Sequence, residues 1–198
     1  FGGESSGGEY HTMYDSYKHY KRFKDPNFQY GVALAQVAGR TSLRLANAEV
    51  LPFEFGHFTN TVKGYVNEVT GLAGKLRKEA EQHNAMIDNG LYALALNPKD
   101  NIKVPNAKPL VPYFNFAPLE NALGNLEKQS KSFMKATQNG VSDVKNKVAV
   151  NAILKDMERT LTKEHGLPKR PWYKHHIYAP GFYTGYGVKT LPGVREAI

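Results

Sequence analysis

Residues 57–83, HFTNTVKGYVNEVTGLAGKLRKEAEQH, repeat their apolar positions more regularly than any other segment of this chain. Apolar side chains return at intervals of three and four residues, and charged side chains stand between them. This is the period of an α-helix that buries one side, so the sequence predicts a long amphipathic helix here. Such a stripe is more often part of a core than a cofactor site, and we assign it no chemistry. The apolar positions are 58, 62, 65, 66, 69, 72, 76 and 80.

Four further segments carry helical patterns on either side of this stretch, and two segments do not. We expect helices over residues 12–23, 27–48, 119–137 and 141–165. Residues 97–118 hold five prolines and no sustained period, which predicts a long connector. Residues 169–193 are rich in aromatic residues and glycine, and such a loop either lines a binding site or packs as a covering segment.

Composition narrows the classes of function. The chain has 198 residues, a net charge of +8 and no cysteine, which excludes disulfides and thiolate metal sites. The basic residues are only loosely clustered and no nucleic-acid-binding motif accompanies them, so we expect a solvated basic face and no nucleic-acid partner. No apolar run approaches the ~20 residues that a membrane span needs.

Tyr10-His11 is the candidate for chemistry. An imidazole can bind a metal ion, and a neighbouring phenol can donate a hydrogen bond to developing negative charge. On its own, such a pair is far more often an ordinary surface or core pair. The remaining histidines lack metal-ligand spacing with a carboxylate, and we interpret them as structural or surface residues. They are His19, His57, His83, His165, His175 and His176.

Two blocks of sequence carry a family resemblance. The first spans residues 10–53 and includes Tyr10-His11, Asp25-Pro26 and the VLPF of residues 50–53. The second spans residues 164–193 and includes GLPKRPWY, IYAP and LPG. In this order and spacing the chain resembles the C-terminal part of glutamate carboxypeptidase II and its relatives, a family of zinc exopeptidases that includes the transferrin receptor.

The resemblance implies a domain organisation. Residues 1–48 would be the C-terminal part of an α/β zinc-peptidase domain, and residues 49–198 a helical-bundle dimerisation domain lacking its last helix. The expected fold class of this fragment is therefore mainly α. The chain also lacks an initiator methionine and ends as a helix begins, so we expect it to be a fragment.

The resemblance also implies a site. Active members hold two zinc ions per protomer, and a glutamate acts as general base on the zinc-activated water. His11 would be one zinc ligand, Tyr10 would contact the substrate and the tetrahedral intermediate, and Tyr186 would contact the substrate. The other ligands and the glutamate would lie upstream. Gly185 stands where the family has a substrate-binding lysine, so a strict preference for glutamate is not expected.

The predicted function is that of a zinc metallopeptidase hydrolysing terminal residues from peptides, with carboxypeptidase favoured over aminopeptidase. Its partners would be a peptide substrate, the upstream part of the same protein, and a second copy bound through the helical domain. The alternative is a non-catalytic receptor or sorting protein like the transferrin receptor, and residues 49–198 would be a structural dimerisation bundle in either case. The resemblance suggests a membrane-anchored protein with its catalytic part extracellular or in the vacuolar or secretory lumen.

Overall fold

Helices account for most of the regular structure, which confirms the prediction of a mainly α fold. The structure is a computed structural model and describes residues 9–97, 99–141, 144–185 and 187–198. It divides into two compact units, Phe1–Pro52 and Phe53–Ile198. In the described ranges no helix is both long enough and apolar enough to cross a membrane. The assignment of residues 1–48 and 49–198 to two family domains, the second without its last helix, stays a prediction.

The first unit contains helix α1 (Tyr17–His19), a π-helical turn (Tyr20–Lys24) and helix α2 (Gln29–Ala46). The prediction that a helix begins at residue 12 is wrong. The Thr12 hydroxyl instead donates to the Glu9 carbonyl (2.7 Å) and accepts from the Tyr14 N–H (3.2 Å), which favours a turn. Ser16 is the residue that caps α1, because its hydroxyl accepts from the His19 N–H (3.3 Å).

Asp25 fixes the start of α2. Its carboxylate accepts from the Gly31 N–H (2.9 Å) and from the Tyr20 hydroxyl (3.2 Å), and only 3% of the residue is exposed. Burial alone would raise the pKa of Asp25, but these hydrogen bonds and those from the Tyr30 and Gln29 N–H groups outweigh it, so the pKa is lowered. The carboxylate thus supplies the acceptors that the first turn of a helix lacks.

The second unit is built on helix α3 (Phe55–Asp88), which confirms the long helix predicted at residues 57–83. Its apolar stripe buries Val62, Val66 and Val69, the last with no exposed surface. Helix α5 (Ala117–Thr137) packs along this stripe. Around the buried valines and Leu191, the core is completed by Phe58, Tyr65, Phe116, Leu119, Leu123, Leu126, Ile177, Val194 and Ile198.

A short helix, α4 (Leu91–Ala95), precedes the connector, whose described residues from 99 to 116 contain no helix or strand, as predicted. The C-terminal half of α3 holds this connector in place. Arg77 donates to the carbonyl oxygens of Val111 (3.1 Å) and Pro112 (2.7 Å). Asn84 and Lys108 exchange two hydrogen bonds of 2.8 Å each. The connector is therefore an ordered covering segment for one end of α3.

The remaining elements are helix α6 (Lys147–Thr160), strands β1 (Tyr178–Pro180) and β2 (Val188–Thr190), and the short helix α7 (Pro192–Arg195). Helix α6 is shorter than the predicted 141–165, because Asn146 caps it through a bond from the Ala149 N–H (3.0 Å). The two strands pair antiparallel and form a small hairpin.

Candidate functional site

Tyr10 and His11 lie together on an exposed turn in the first unit. Their rings stack with centroids 3.9 Å apart and planes at 18°. Tyr10 is 70% exposed, and His11 is exposed as well. The backbone of His11 has φ of 59°, a left-handed conformation that few residues other than glycine adopt. Conformations of this kind cluster at functional sites, which makes His11 a stronger candidate than its exposure alone would.

Glu9 anchors the turn from its N-terminal side. Its carboxylate forms an ion pair with Lys24, the last residue of the π-helical turn. Its carbonyl oxygen accepts from the Thr12 N–H (3.0 Å) as well as from the Thr12 hydroxyl. The backbone on both sides of the Tyr10-His11 pair is therefore held while the two side chains face outward.

His11 can offer one imidazole nitrogen to a metal ion. A zinc site needs three or four protein ligands, and the described part of the chain offers His11 no set of further ligands. There, no group of three or more His, Cys, Asp or Glu side chains is placed to hold a metal. The described residues alone do not make a zinc site, and the roles predicted for His11 and Tyr10 stay predictions.

The second candidate surface is a cleft of about 490 Å³ beside the β1–β2 hairpin. Tyr186, the predicted substrate contact, lies outside the described residues, so its role stays a prediction. Gly185 is exposed, and a Cβ placed there would meet no atom within 4 Å, so the position has room for a side chain. The cleft is lined by Pro168, Lys169, Gly181, Phe182, Tyr183, Thr184, Lys189, Arg195 and Glu196.

One acidic side chain of the cleft, Glu196, is held by internal contacts. One carboxylate oxygen pairs with the guanidinium of Arg170, and the other accepts from the Phe182 N–H (3.0 Å). Arg170 is 5% exposed and also donates to the Pro180 carbonyl (2.6 Å). The negative charge of Glu196 is therefore compensated within the protein.

The basic side chains of the cleft differ from one another. Arg195 is paired with Glu68 at 2.8 Å, whereas neither Lys169 nor Lys189 has an ion-pair partner among the described residues. Lys169 Nζ lies 5.9 Å from the centroid of the Phe182 ring, and Lys189 runs across Gly181. Two uncompensated ammonium groups suit a ligand that carries a carboxylate.

Sequence reasoning missed the pairing that organises this cleft. Arg170 lies inside the GLPKRPWY block, and in the sequence it looks like one more of the loosely clustered basic residues. Arg170 is almost fully buried because it contacts Glu196. Glu196 lies 26 residues further along the chain, so no local sequence pattern predicts this contact. The sequence feature that could have predicted this burial is the position of the arginine among proline, tryptophan and tyrosine residues.

His175 has a carboxylate neighbour that the sequence spacing did not reveal. Its Nε2 lies 3.1 Å from Glu158, and its Nδ1 accepts from the Ile177 N–H (3.2 Å). The negative charge of Glu158, together with burial, raises the pKa of Tyr178, whose hydroxyl donates to the same carboxylate. These contacts join α6 to β1 and give His175 a structural role.

Residues 114–198 match the transferrin receptor-like dimerisation domain. Over 190 residues the chain is 33% identical to a probable glutamate carboxypeptidase of Arabidopsis thaliana, a match covering 96% of the chain and 22% of that protein. Over 189 residues it is 29% identical to a probable glutamate carboxypeptidase of Arthroderma benhamiae, covering 96% and 22%. Over 188 residues it is 24% identical to an aminopeptidase of Rattus norvegicus, covering 95% and 21%. The chain thus spans only about 22% of the length of the first of these relatives.

Proposed function

Since this chain belongs to the family of glutamate carboxypeptidases and transferrin receptor-like proteins, we propose that it is the C-terminal part of a zinc-dependent exopeptidase. The observation that carries the proposal is the exposed Tyr10-His11 pair on a left-handed turn. The names of the relatives, carboxypeptidases and an aminopeptidase, support hydrolysis of terminal residues from peptides.

Tyr10 and His11 have separate roles in this proposal. His11 supplies one imidazole ligand to a centre of two zinc ions per protomer, and zinc bound there would activate water for hydrolysis. No described residue bonds to the Tyr10 hydroxyl, which leaves it available to donate to the scissile carbonyl oxygen as negative charge develops. Such a donor strengthens its bond in the transition state and therefore acts on kcat.

The remaining ligands and the general base belong to residues outside this chain. Helix α2 supports this division, because none of its residues is buried although it is rich in apolar side chains. Tyr30 is 75% exposed, and Val32 and Val37 are each 53% exposed. A helix that is apolar on several sides is normally enclosed by protein, so we propose that a larger peptidase domain surrounds it.

The cleft beside the hairpin is proposed to bind the peptide, with Tyr186 as one contact. Lys169 and Lys189 would pair with a carboxylate of the substrate, which favours carboxypeptidase over aminopeptidase action. Both ammonium groups are on flexible, exposed side chains, and position 185 lacks the lysine of the family. The selectivity for a terminal glutamate is therefore expected to be weak.

Replacing His11 tests the proposal directly. In the intact protein, His11→Ala is expected to abolish peptide hydrolysis and to lower the zinc content from about two ions per protomer, because one ligand is lost. Activity is measured on a peptide whose two termini are distinguishable, so that the end that is cleaved is also identified. His57→Ala, which removes an exposed histidine of the second unit, is the matched control and should retain activity. Full activity of His11→Ala would contradict the proposal.

The second candidate is a non-catalytic receptor or sorting protein. The match of residues 114–198 to a transferrin receptor-like dimerisation domain favours it, because the description of that domain refers to a receptor and to dimerisation. Under either candidate we propose that the protein forms a homodimer through its helical part. Metal analysis of the intact protein separates the two candidates, since an absence of zinc would favour the receptor.

A further inference from the structure

Phe182 and Tyr183 line one side of the cleft beside the β1–β2 hairpin. Their rings meet edge to face, with centroids 4.6 Å apart and planes at 76°. Phe182 is 41% exposed and Tyr183 is 93% exposed, so much of both rings is open to a ligand. Exposed aromatic rings in a cleft are typical of sites that bind an apolar or aromatic group. We call these two residues the aromatic wall.

Hydrogen bonds and a buried cation hold the aromatic wall in place. The Phe182 N–H donates to the Glu196 carboxylate (3.0 Å), and the Thr184 hydroxyl donates to the Gly187 carbonyl oxygen (2.7 Å). The guanidinium carbon of Arg170, a residue that is 5% exposed, lies 5.3 Å from the centroid of the Phe182 ring. A wall that is already positioned loses little freedom when a ligand binds, which favours binding.

The charged groups of the cleft suit a ligand with one carboxylate. Lys169 and Lys189 line the cleft and have no ion-pair partner in the described ranges, whereas its other two charged residues are each paired within the protein. One carboxylate can accept hydrogen bonds from two ammonium groups. A second carboxylate would meet the faces of the aromatic wall, which carry partial negative charge. The cleft therefore matches a ligand in which a single carboxylate stands beside an aromatic group.

We infer that the cleft binds the C-terminal residue of a peptide when the side chain of that residue is aromatic. The α-carboxylate pairs with Lys169 and Lys189, and the ring packs on the aromatic wall. The volume of the cleft, about 490 Å³, falls within the range of small-molecule sites. Hydrolysis then adds one water across the last peptide bond and releases the free aromatic amino acid. This inference rests on the proposed exopeptidase function and names its substrate class.

A series of blocked dipeptides tests the inference on the intact protein. The substrates are N-acetyl-alanyl dipeptides that end in phenylalanine, leucine, glutamate or alanine, and the measured quantity is kcat/KM for release of the last amino acid. We expect the phenylalanine peptide to exceed the glutamate and alanine peptides about tenfold or more, with leucine between them, because an apolar pocket discriminates by such factors.

Replacement of the aromatic wall tests the residues assigned to it. We expect Phe182→Ser to lower the ratio of kcat/KM for the phenylalanine peptide to that for the alanine peptide about tenfold, and Tyr183→Ser to lower it severalfold. Phe182→Leu keeps an apolar wall and should retain much of the ratio. Trp172→Ser is the matched control and should leave the ratio unchanged. Trp172 is 67% exposed and lines a neighbouring hollow of about 410 Å³ instead of the cleft.

The outcomes separate this inference from the proposed function. A protein that hydrolyses neither these peptides nor unblocked ones overturns both. Cleavage of unblocked peptides from the amino end alone, or equal rates on the phenylalanine and glutamate peptides, overturns the inference and leaves the exopeptidase standing. An equal fall of the ratio in Trp172→Ser, or no fall in either serine variant of the wall, also overturns the inference. If circular dichroism shows that Phe182→Ser fails to fold, Tyr183→Ser decides, because Tyr183 is almost fully exposed.

Discussion

The conformation of His11 ties the local geometry to the proposed chemistry. A left-handed residue other than glycine costs about 1–2 kcal/mol, and here the Glu9–Lys24 pair and the Thr12 hydrogen bonds hold the turn that requires it. The same turn exposes the imidazole and stacks it on Tyr10. The turn thus presents both side chains at a conformational cost, and residues that bear such a cost cluster at functional sites.

Tyr10→Phe separates the role of the phenol from that of the imidazole. We expect kcat to fall by about 10²-fold with little change in KM, since the hydroxyl is proposed to bond only the developing charge. The zinc content should stay unchanged because His11 is intact. Steady-state kinetics and metal analysis of the intact protein measure both quantities.

Tyr14→Phe is the control, because Tyr14 lies on the same turn and is 62% exposed. An equal loss in both variants would assign the effect to the turn rather than to the Tyr10 hydroxyl. Unchanged kcat in Tyr10→Phe would remove Tyr10 from the proposed mechanism.

At the scale of elements, the regular helices were predictable and the irregular ones were not. The stripe of α3 repeats its period from Phe58 to Ala80, and the buried residues Val62, Val66 and Val69 follow that period. The segment at residues 12–23 has a helical spacing too, yet Thr12 competes for the backbone and only a short α1 and a π-helical turn form. The boundaries of α6 depended on the cap at Asn146, which the apolar pattern does not mark.

The β1–β2 hairpin provides a test of the cleft. A Cβ at Gly181 would lie 2.5 Å from the Thr184 hydroxyl oxygen and 2.7 Å from Lys189 Cγ. We expect Gly181→Ala to displace Lys189, to raise KM severalfold and to destabilise the protein by about 1–3 kcal/mol. Peptide kinetics and thermal unfolding measure the two effects.

Gly185→Ala is the matched control in the same hairpin, because a Cβ there meets no atom within 4 Å. It should leave KM and the unfolding temperature close to the wild-type values. If both alanine variants behave alike, the hairpin does not position Lys189 for binding.

For the whole molecule, the two units differ in how much of their apolar surface is covered. In the second unit, Val66, Val69 and Ala73 of α3 are each no more than 3% exposed. In the first unit, α2 has no buried residue. The sequence could not show this difference, because the apolar residues of α2 form the same pattern as the core residues of α3 whether or not they are covered.

Hydrogen exchange of the chain Phe1–Ile198 alone and of the intact protein tests this division. In the chain alone, the amides of α3 are expected to be protected and those of α2 to exchange rapidly, because unburied helices open locally. In the intact protein α2 should gain protection of 10²-fold or more, roughly the effect of burying two large apolar side chains. Strong protection of α2 in the chain alone would contradict the proposal that a further domain surrounds it.

Because Leu191 is buried against Val62, Val66 and Val69, the core can close only after the ribosome has added Leu191. At about 5–20 residues per second, Leu191 is added on the order of ten seconds after Val69. Until then the nascent α3 presents its apolar stripe to the cytosol or lumen without its full cover, a surface that chaperones bind. A ribosome that stops short of Leu191 therefore releases a chain with an open core, and quality control can distinguish it from the finished product.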